Sequence, residues 1–229
     1  MLVMGVDDAG RGPLIGPMIL GGVLLSKDQE RTLKEKGVAD SKLLDHPTRM
    51  KLAKEIESKA LKFKTVKVYP EEIDSSIKSG TNLNTLEAKK IAEVINTLNA
   101  GKFLKEQIKV IVDCPSINIT AWRNTLLKFL IHGSNLDVVC EHKADFNHPC
   151  VSAASILAKV DREEEVKKIK DKYKQYGNTG SGYPSDPATK EFLVKHGNTL
   201  KDSGIFRKSW ATWKSLFPEK EQATLGDFK

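Results

Sequence analysis

The sequence predicts an α/β sandwich around a mixed sheet, and three observations carry that prediction. Strand patterns occupy residues 2–6, 18–25 and 61–69 in the first third of the chain. Two short apolar runs, "IKVIVD" (108–113) and "LDVVCE" (136–141), read as strands buried on both faces. Helical patterns alternate with these later strands, an order that favours helices packed on both sides of one sheet.

The elements follow in turn. The apolar opening (Leu2, Val3, Val6) ends in adjacent carboxylates, Asp7 and Asp8, and then in the basic glycine loop Gly10-Arg11-Gly12. "MILGGVLL" (18–25) follows as in a hairpin. Residues 47–59 have helical periodicity, "LKFKTVKVY" (61–69) is a strand, and 84–98 and 118–131 are helices. A long helix over 151–174 begins small and apolar ("VSAASILAKV") and ends charged. "YGNTGSGYPSDP" (176–187) is dense in turn residues and marks a boundary. Helical stretches near 187–196 and 204–216 come next, then a tail after Pro218. The organisation expected is therefore a main domain over 1–176, a C-terminal helical segment over 177–217 and a tail over 218–229.

With 229 residues, 39% of them hydrophobic, the chain can bury one large core. A net charge of +7 favours a polyanionic partner. The odd count of three cysteines without a CxxC pair fits a reducing compartment. The opening residues lack a basic-then-apolar pattern, so no leader is expected, and no apolar run reaches the roughly 20 residues that span a bilayer. A soluble, cytoplasmic monomer without membrane contact is expected.

Two tempting motifs fail. Gly10-Arg11-Gly12 lacks the third glycine of a dinucleotide loop, because Ile15 stands there and Gly16 comes one place late. Pro13 and Pro17 also obstruct the required helix. Cys140, His142, His148 and Cys150 alternate in an order unlike paired zinc ligands.

The acids are more informative. Asp7 and Asp8 end the first strand, Asp113 ends the fourth, and Asp145 follows the fifth. Strand ends converge on one edge of an open α/β sheet, where mutually repelling carboxylates need cations. Oxygen-only ligands suit two Mg²⁺ or Mn²⁺ ions, a device for phosphodiester chemistry. Taken singly, each Asp is also an ordinary polar residue where a strand enters a loop. Tyr183, on a stiff turn between glycines and a proline, suits either packing or stacking on a sugar or base. Trp210 and Trp213 read as the core stripe of the last helix.

Six motifs in order resemble the type 2 ribonucleases H, archaeal ribonuclease HII in particular, almost end to end. They are "GVDDAGRGPLIGPM", "DSKLL" (40–44), "VDCPS" (112–116), "EHKADFNHPCVSAASILAKVDRE" (141–163), "GSGYPSDP" (180–187) and "RKSWATWK" (207–214). The resemblance implies a ribonuclease H-like fold, with a five-stranded mixed sheet flanked by helices and a C-terminal helical segment that closes over substrate. It implies cleavage of RNA in RNA–DNA hybrids and incision at single ribonucleotides in duplex DNA, leaving 3′-hydroxyl and 5′-phosphate ends. The four catalytic, metal-holding acids fall on Asp7, Asp8, Asp113 and Asp145. The ribonucleotide-sensing loop falls on Gly10, Arg11 and Gly12, and the junction-sensing tyrosine on Tyr183. Arg11, Lys42 and Lys143 are candidate phosphate contacts. The family normally has Glu where this chain has Asp8, one methylene shorter. A binding module without catalysis, or a metal-dependent nuclease of other specificity, are rivals on the same fold.

In the tail, Gln222, Leu225 and Phe228 stand at i, i+3 and i+6, which one helical turn gathers onto one face. They resemble the sliding-clamp (proliferating cell nuclear antigen) interaction motif, with Lys229 in place of its usual second aromatic. The resemblance implies the clamp as a partner.

Overall fold

The computed structural model describes residues 1–38 and 44–218. Lys42, and the tail residues Gln222, Leu225 and Phe228, lie outside them. Five strands form one sheet among the described residues: β1 (Leu2–Ala9), β2 (Met18–Ser26), β3 (Lys62–Val68), β4 (Ile108–Asp113) and β5 (Leu136–Glu141). Their order is β3-β2-β1-β4-β5. β2 is antiparallel to both β1 and β3, while β1, β4 and β5 run parallel, so β2 is the one reversed strand of the mixed sheet. The two later strands match their expected bounds, and the fold is the ribonuclease H-like one expected.

The helices are α1 (Lys27–Glu35), α2 (His46–Lys59), α3 (Pro70–Lys78), α4 (Leu83–Leu98), α5 (Ile119–Leu127), α6 (Ala144–Asn147), α7 (Pro149–Lys172), α8 (Pro187–His196) and α9 (Ala211–Leu216). Period-two alternation splits the strands between two cores. Met4, Val6, Leu20, Val110 and Val112 pack with α4 and α5 residues on one face. Val3, Val23, Leu25 and Ile111 pack with α1, α2 and α7 residues on the other.

The small residues opening α7 have a steric reason. A Cβ on Gly5 would lie 2.1 Å from the Cys150 carbonyl, and one on Gly21 2.5 Å from the Ala154 oxygen. Glycine in the strands and alanine in the helix thus bring α7 onto the sheet backbone, and its rigid start fixes the far strand ends. A third cluster joins Leu14 and Ile15 to Tyr173, Phe192, Leu193, Phe206 and Trp213, tying the C-terminal region to the β1–β2 loop.

Three expectations need correction. The helix expected over 118–131 stops at Leu127. The helix expected over 204–216 forms only over 211–216. Phe206 instead makes a bridge with Ile15, and Arg207 is held by loop carbonyls, so 205–207 is extended and 208–210 is a turn, closed by the Trp210 amide donating to Arg207 O at 3.2 Å. Trp210 consequently precedes the helix as its N-cap, and packs half-buried against the same apolar cluster that holds Trp213.

Candidate active site

Asp7 and Asp8 leave β1 on opposite faces. Asp7 is buried on the α7 side, and its Oδ1 accepts from the Asp8 amide at 2.8 Å. Asp113 ends the neighbouring parallel strand, where Val6 is paired with Val112. Its Oδ1 accepts from the Ala144 amide at 2.7 Å, which fastens the start of α6 and the buried Asp145 to β4. Lys143 introduces that helix in a left-handed conformation, φ 56°.

Asp8 meets α4. There Glu87, fully buried, accepts from Arg11 Nε at 3.1 Å through Oε2. Asn84 Oδ1 accepts from Arg11 Nη2 at 2.6 Å. Electrostatics follow from this crowding. Burial, then the charges of Asp8 and Asp113, hold the Asp7 carboxyl well above the usual range, against the pull of the Ser155 hydroxyl. Burial and the Glu87 carboxylate push Asp8 up to about 8, although Arg11 opposes them. Burial also raises Glu87. These shifts report negative charge short of compensation.

A cleft of about 310 Å³ opens beside Asp8, lined also by Gly10, Arg11, Gly12, Lys159, Arg162 and Tyr183. Gly10 has φ 80°, and a Cβ there would lie 2.2 Å from Arg162 Nε, so both backbone and space exclude a side chain. Arg207, fully buried, donates to the carbonyls of Gly16 (3.0 Å), Arg11 (2.7 Å) and Gly10 (2.6 Å). Trp210 Nε1 donates to Gly12 O at 3.0 Å. From the other side, Leu14 N donates to Gly182 O at 2.7 Å, which sets Tyr183 next to the loop. A Cβ on Gly12 would stand 3.4 Å from Tyr183 Cε1, and the Arg162 guanidinium lies 5.7 Å from the ring centre.

The sequence-derived residues thus fall into three groups. Asp7, Asp8 and Asp113 crowd together at the ends of β1 and β4, and Asp145 follows Ala144, whose amide is bound to Asp113. Gly10, Arg11, Gly12 and Tyr183 line or border the cleft, with two of the three Arg11 nitrogens engaged by Glu87 and Asn84. Lys143 is exposed and does not line it. Sequence reading missed Glu87, Lys159, Arg162, Arg207 and Trp210 as parts of the site. Glu87 had a signal: it continues the buried stripe Ile91, Val94, Leu98 of α4, a place where an acid is unusual. Cys140 and Cys150 belong to cores on opposite faces, so the zinc grouping does not form.

Among the described residues no three acids, histidines or cysteines close into a ready-made metal cage. The donor set nevertheless fits a hard divalent cation: carboxylate oxygens only, uncompensated charge, and a buried Glu87 Oε1 with no hydrogen-bond partner.

A family model described as ribonuclease HII matches residues 4–213. Ribonuclease HII of Pyrococcus furiosus is 40% identical over 235 residues, covering 100% of this chain and 98% of the relative. The structure of ribonuclease H2 from Pyrococcus horikoshii OT3 superposes with a TM-score of 0.79 at 37% identity, over 94% of this chain and 97% of that one. A ribonuclease HII of Archaeoglobus fulgidus, solved in complex with the clamp PCNA, superposes with a TM-score of 0.78 at 34% identity over the full length of both chains. Among the described residues no helix is long and apolar enough to cross a membrane.

Proposed function

Because the chain belongs to the ribonuclease HII family, and is an endonuclease of RNA–DNA hybrids, we propose that it also incises duplex DNA 5′ of single embedded ribonucleotides. The observation that carries this reading is the loop Gly10–Gly12, whose three carbonyls are occupied by Arg207 and Trp210 beside an acid cluster. With its acceptors engaged, such a loop offers chiefly N–H donors, and its glycines let a ribose 2′-OH approach the backbone.

The family is metal-dependent. Asp7, Asp8, Asp113 and Asp145 would hold two Mg²⁺ or Mn²⁺ ions, and the chemistry such ions supply is an activated water and charge for the departing 3′ oxygen. Lys159 and Arg162, which line the cleft, would contact the flanking phosphates, joined by Lys42 and Lys143 along the strand. Arg11 acts chiefly in holding the loop. Tyr183 would stack on the sugar following the ribonucleotide, where a second 2′-OH would collide with the ring. Residues 1–176 form the catalytic domain in this reading, and 177–217 embrace the substrate. The tail over 218–229 would dock on a sliding clamp through Gln222, Leu225 and Phe228; the Archaeoglobus relative's complex with PCNA supports a clamp partner.

The test uses three labelled duplexes, one all DNA, one RNA–DNA hybrid and one with a single ribonucleotide, each with Mg²⁺, Mn²⁺ or chelator. Metal-dependent nicking 5′ of the lone ribonucleotide, with 3′-hydroxyl and 5′-phosphate ends, is expected. Cleavage of the hybrid alone would remove the single-ribonucleotide activity, and cleavage in chelator would remove the metal.

A further inference from the structure

The shortened acid at position 8 and the buried acid at position 87 meet. Glu87 projects from the first turns of α4 and its side chain has no exposure at all. Oε2 is held by Arg11, but Oε1 is buried without a hydrogen-bond partner. The Asp8 carboxyl lies within hydrogen-bonding reach of Glu87. Once both are ionised, as ligands of a cation are, two carboxylates in contact have only acceptors to offer each other. A carboxylate oxygen left unpartnered in the interior is costly, and Arg11, 35% exposed, compensates one charge where several converge. A cation seated against Asp8 would satisfy both orphan oxygen and excess charge.

Reach gives the pair its sense. Asp8 stands where the family carries Glu, so its carboxyl stops one methylene short of the usual position. Glu87 comes from the opposite element toward that same carboxyl. We propose that Glu87 is a fifth acid of the site, joining Asp8 in holding a divalent cation and supplying from α4 the reach that Asp8 lacks from β1. This rests on the metal-assisted reading above. It assigns Glu87 more than the anchoring of Arg11, since that contact uses one of its two oxygens.

The experiment titrates Mn²⁺ into the full-length protein, following free Mn²⁺ by paramagnetic resonance and melting temperature in parallel. Glu87→Gln keeps the shape and an oxygen for Arg11 but removes the charge. It should weaken Mn²⁺ binding roughly tenfold or more, the scale seen when a metal's supporting groups are removed. Asp8→Glu in that background should recover most of the loss. Glu87→Asp, with charge kept and reach lost, should show a smaller deficit, and serves if Glu87→Gln folds poorly. Wild-type Mn²⁺ affinity in both Glu87 variants, alongside lost affinity in Asp7→Asn, would overturn the proposal and leave Glu87 as the anchor of Arg11. Unchanged affinity in Asp7→Asn would instead overturn the metal-site reading itself.

Discussion

Arg207 Nη2 donates to the carbonyl of Gly10 at 2.6 Å, joining positions 197 residues apart. The same guanidinium reaches Arg11 O and Gly16 O, so one C-terminal side chain sets the curvature of the loop that borders the acids. Arg207→Ala leaves three loop carbonyls without their donor, at about 1–3 kcal/mol for each that stays dry. A marked drop in the urea midpoint and a loss of single-ribonucleotide incision are expected together. Arg207→Lys, lacking the planar fork, should rescue little. Full activity in Arg207→Lys would show that the loop holds its shape unaided.

The acids should act as a unit. Asp7→Asn or Asp113→Asn should abolish cleavage, since in the proposed site each removes one of the charged groups that hold the metals. Asp7→Asn should also raise, or leave unchanged, the melting temperature in chelator, because it relieves repulsion from Asp8 and Asp113. Wild-type turnover in either variant would remove these residues from the chemistry.

Stability in chelator should fall as pH rises. The folded Asp8 carboxyl sits at about 8, against roughly 3.9 in an unfolded chain. Between those values the folded state binds more protons than the unfolded one, so unfolding free energy decreases with increasing pH. Urea midpoints in chelator should therefore be lower at pH 8 than at pH 5.5, and Asp8→Asn should flatten the slope. A midpoint that climbs over this interval would contradict the charge crowding described here.

Tyr183 should govern discrimination more than folding. It is 42% exposed, bordering Gly12, so its removal costs little core. Tyr183→Ala should cripple incision at a lone ribonucleotide while weakening duplex binding modestly, because phosphate contacts dominate affinity. An unchanged incision rate would return the ring to packing.

Deleting 219–229 should leave cleavage of short duplexes intact and abolish association with the host's clamp. Calorimetry with that clamp checks it, and equal binding by full-length and truncated protein would place docking elsewhere.

How far the sequence carried this account depended on the range of the forces involved. Strands β4 and β5 were legible to the residue because unbroken apolar runs bounded by polar residues have few alternatives. α1 and α3 were missed, although local signals existed: Ser26 and Gln29 form a capping box, and Pro70 with two glutamates opens α3. Both helices are nine residues long and mostly polar, and each buries only one or two side chains, Leu33 in α1 and Pro70 and Ile73 in α3. The crowding of Asp7, Asp8 and Asp113 could be inferred because topology dictates where strand ends meet. The roles of Arg207, Trp210 and Glu87 could not, since each depends on contacts across tens to hundreds of residues. Near 204–210, tertiary contacts to Ile15 and the loop carbonyls override a helical pattern.

Diffraction decides whether the acids at the strand ends hold two divalent cations beside the Gly10–Gly12 loop. Crystals of the Asp113→Asn protein would not suffice, because one of the proposed ligands is lost; the wild-type protein with Mn²⁺ and a duplex carrying one uncleavable ribonucleotide analogue that retains its 2′-OH is required. Anomalous maps at the manganese edge should show two peaks among Asp7, Asp8, Asp113 and Asp145, with the 2′-OH at the loop backbone. A well-ordered duplex with no manganese at these acids, or with the ribonucleotide away from Gly10–Gly12, would contradict the account.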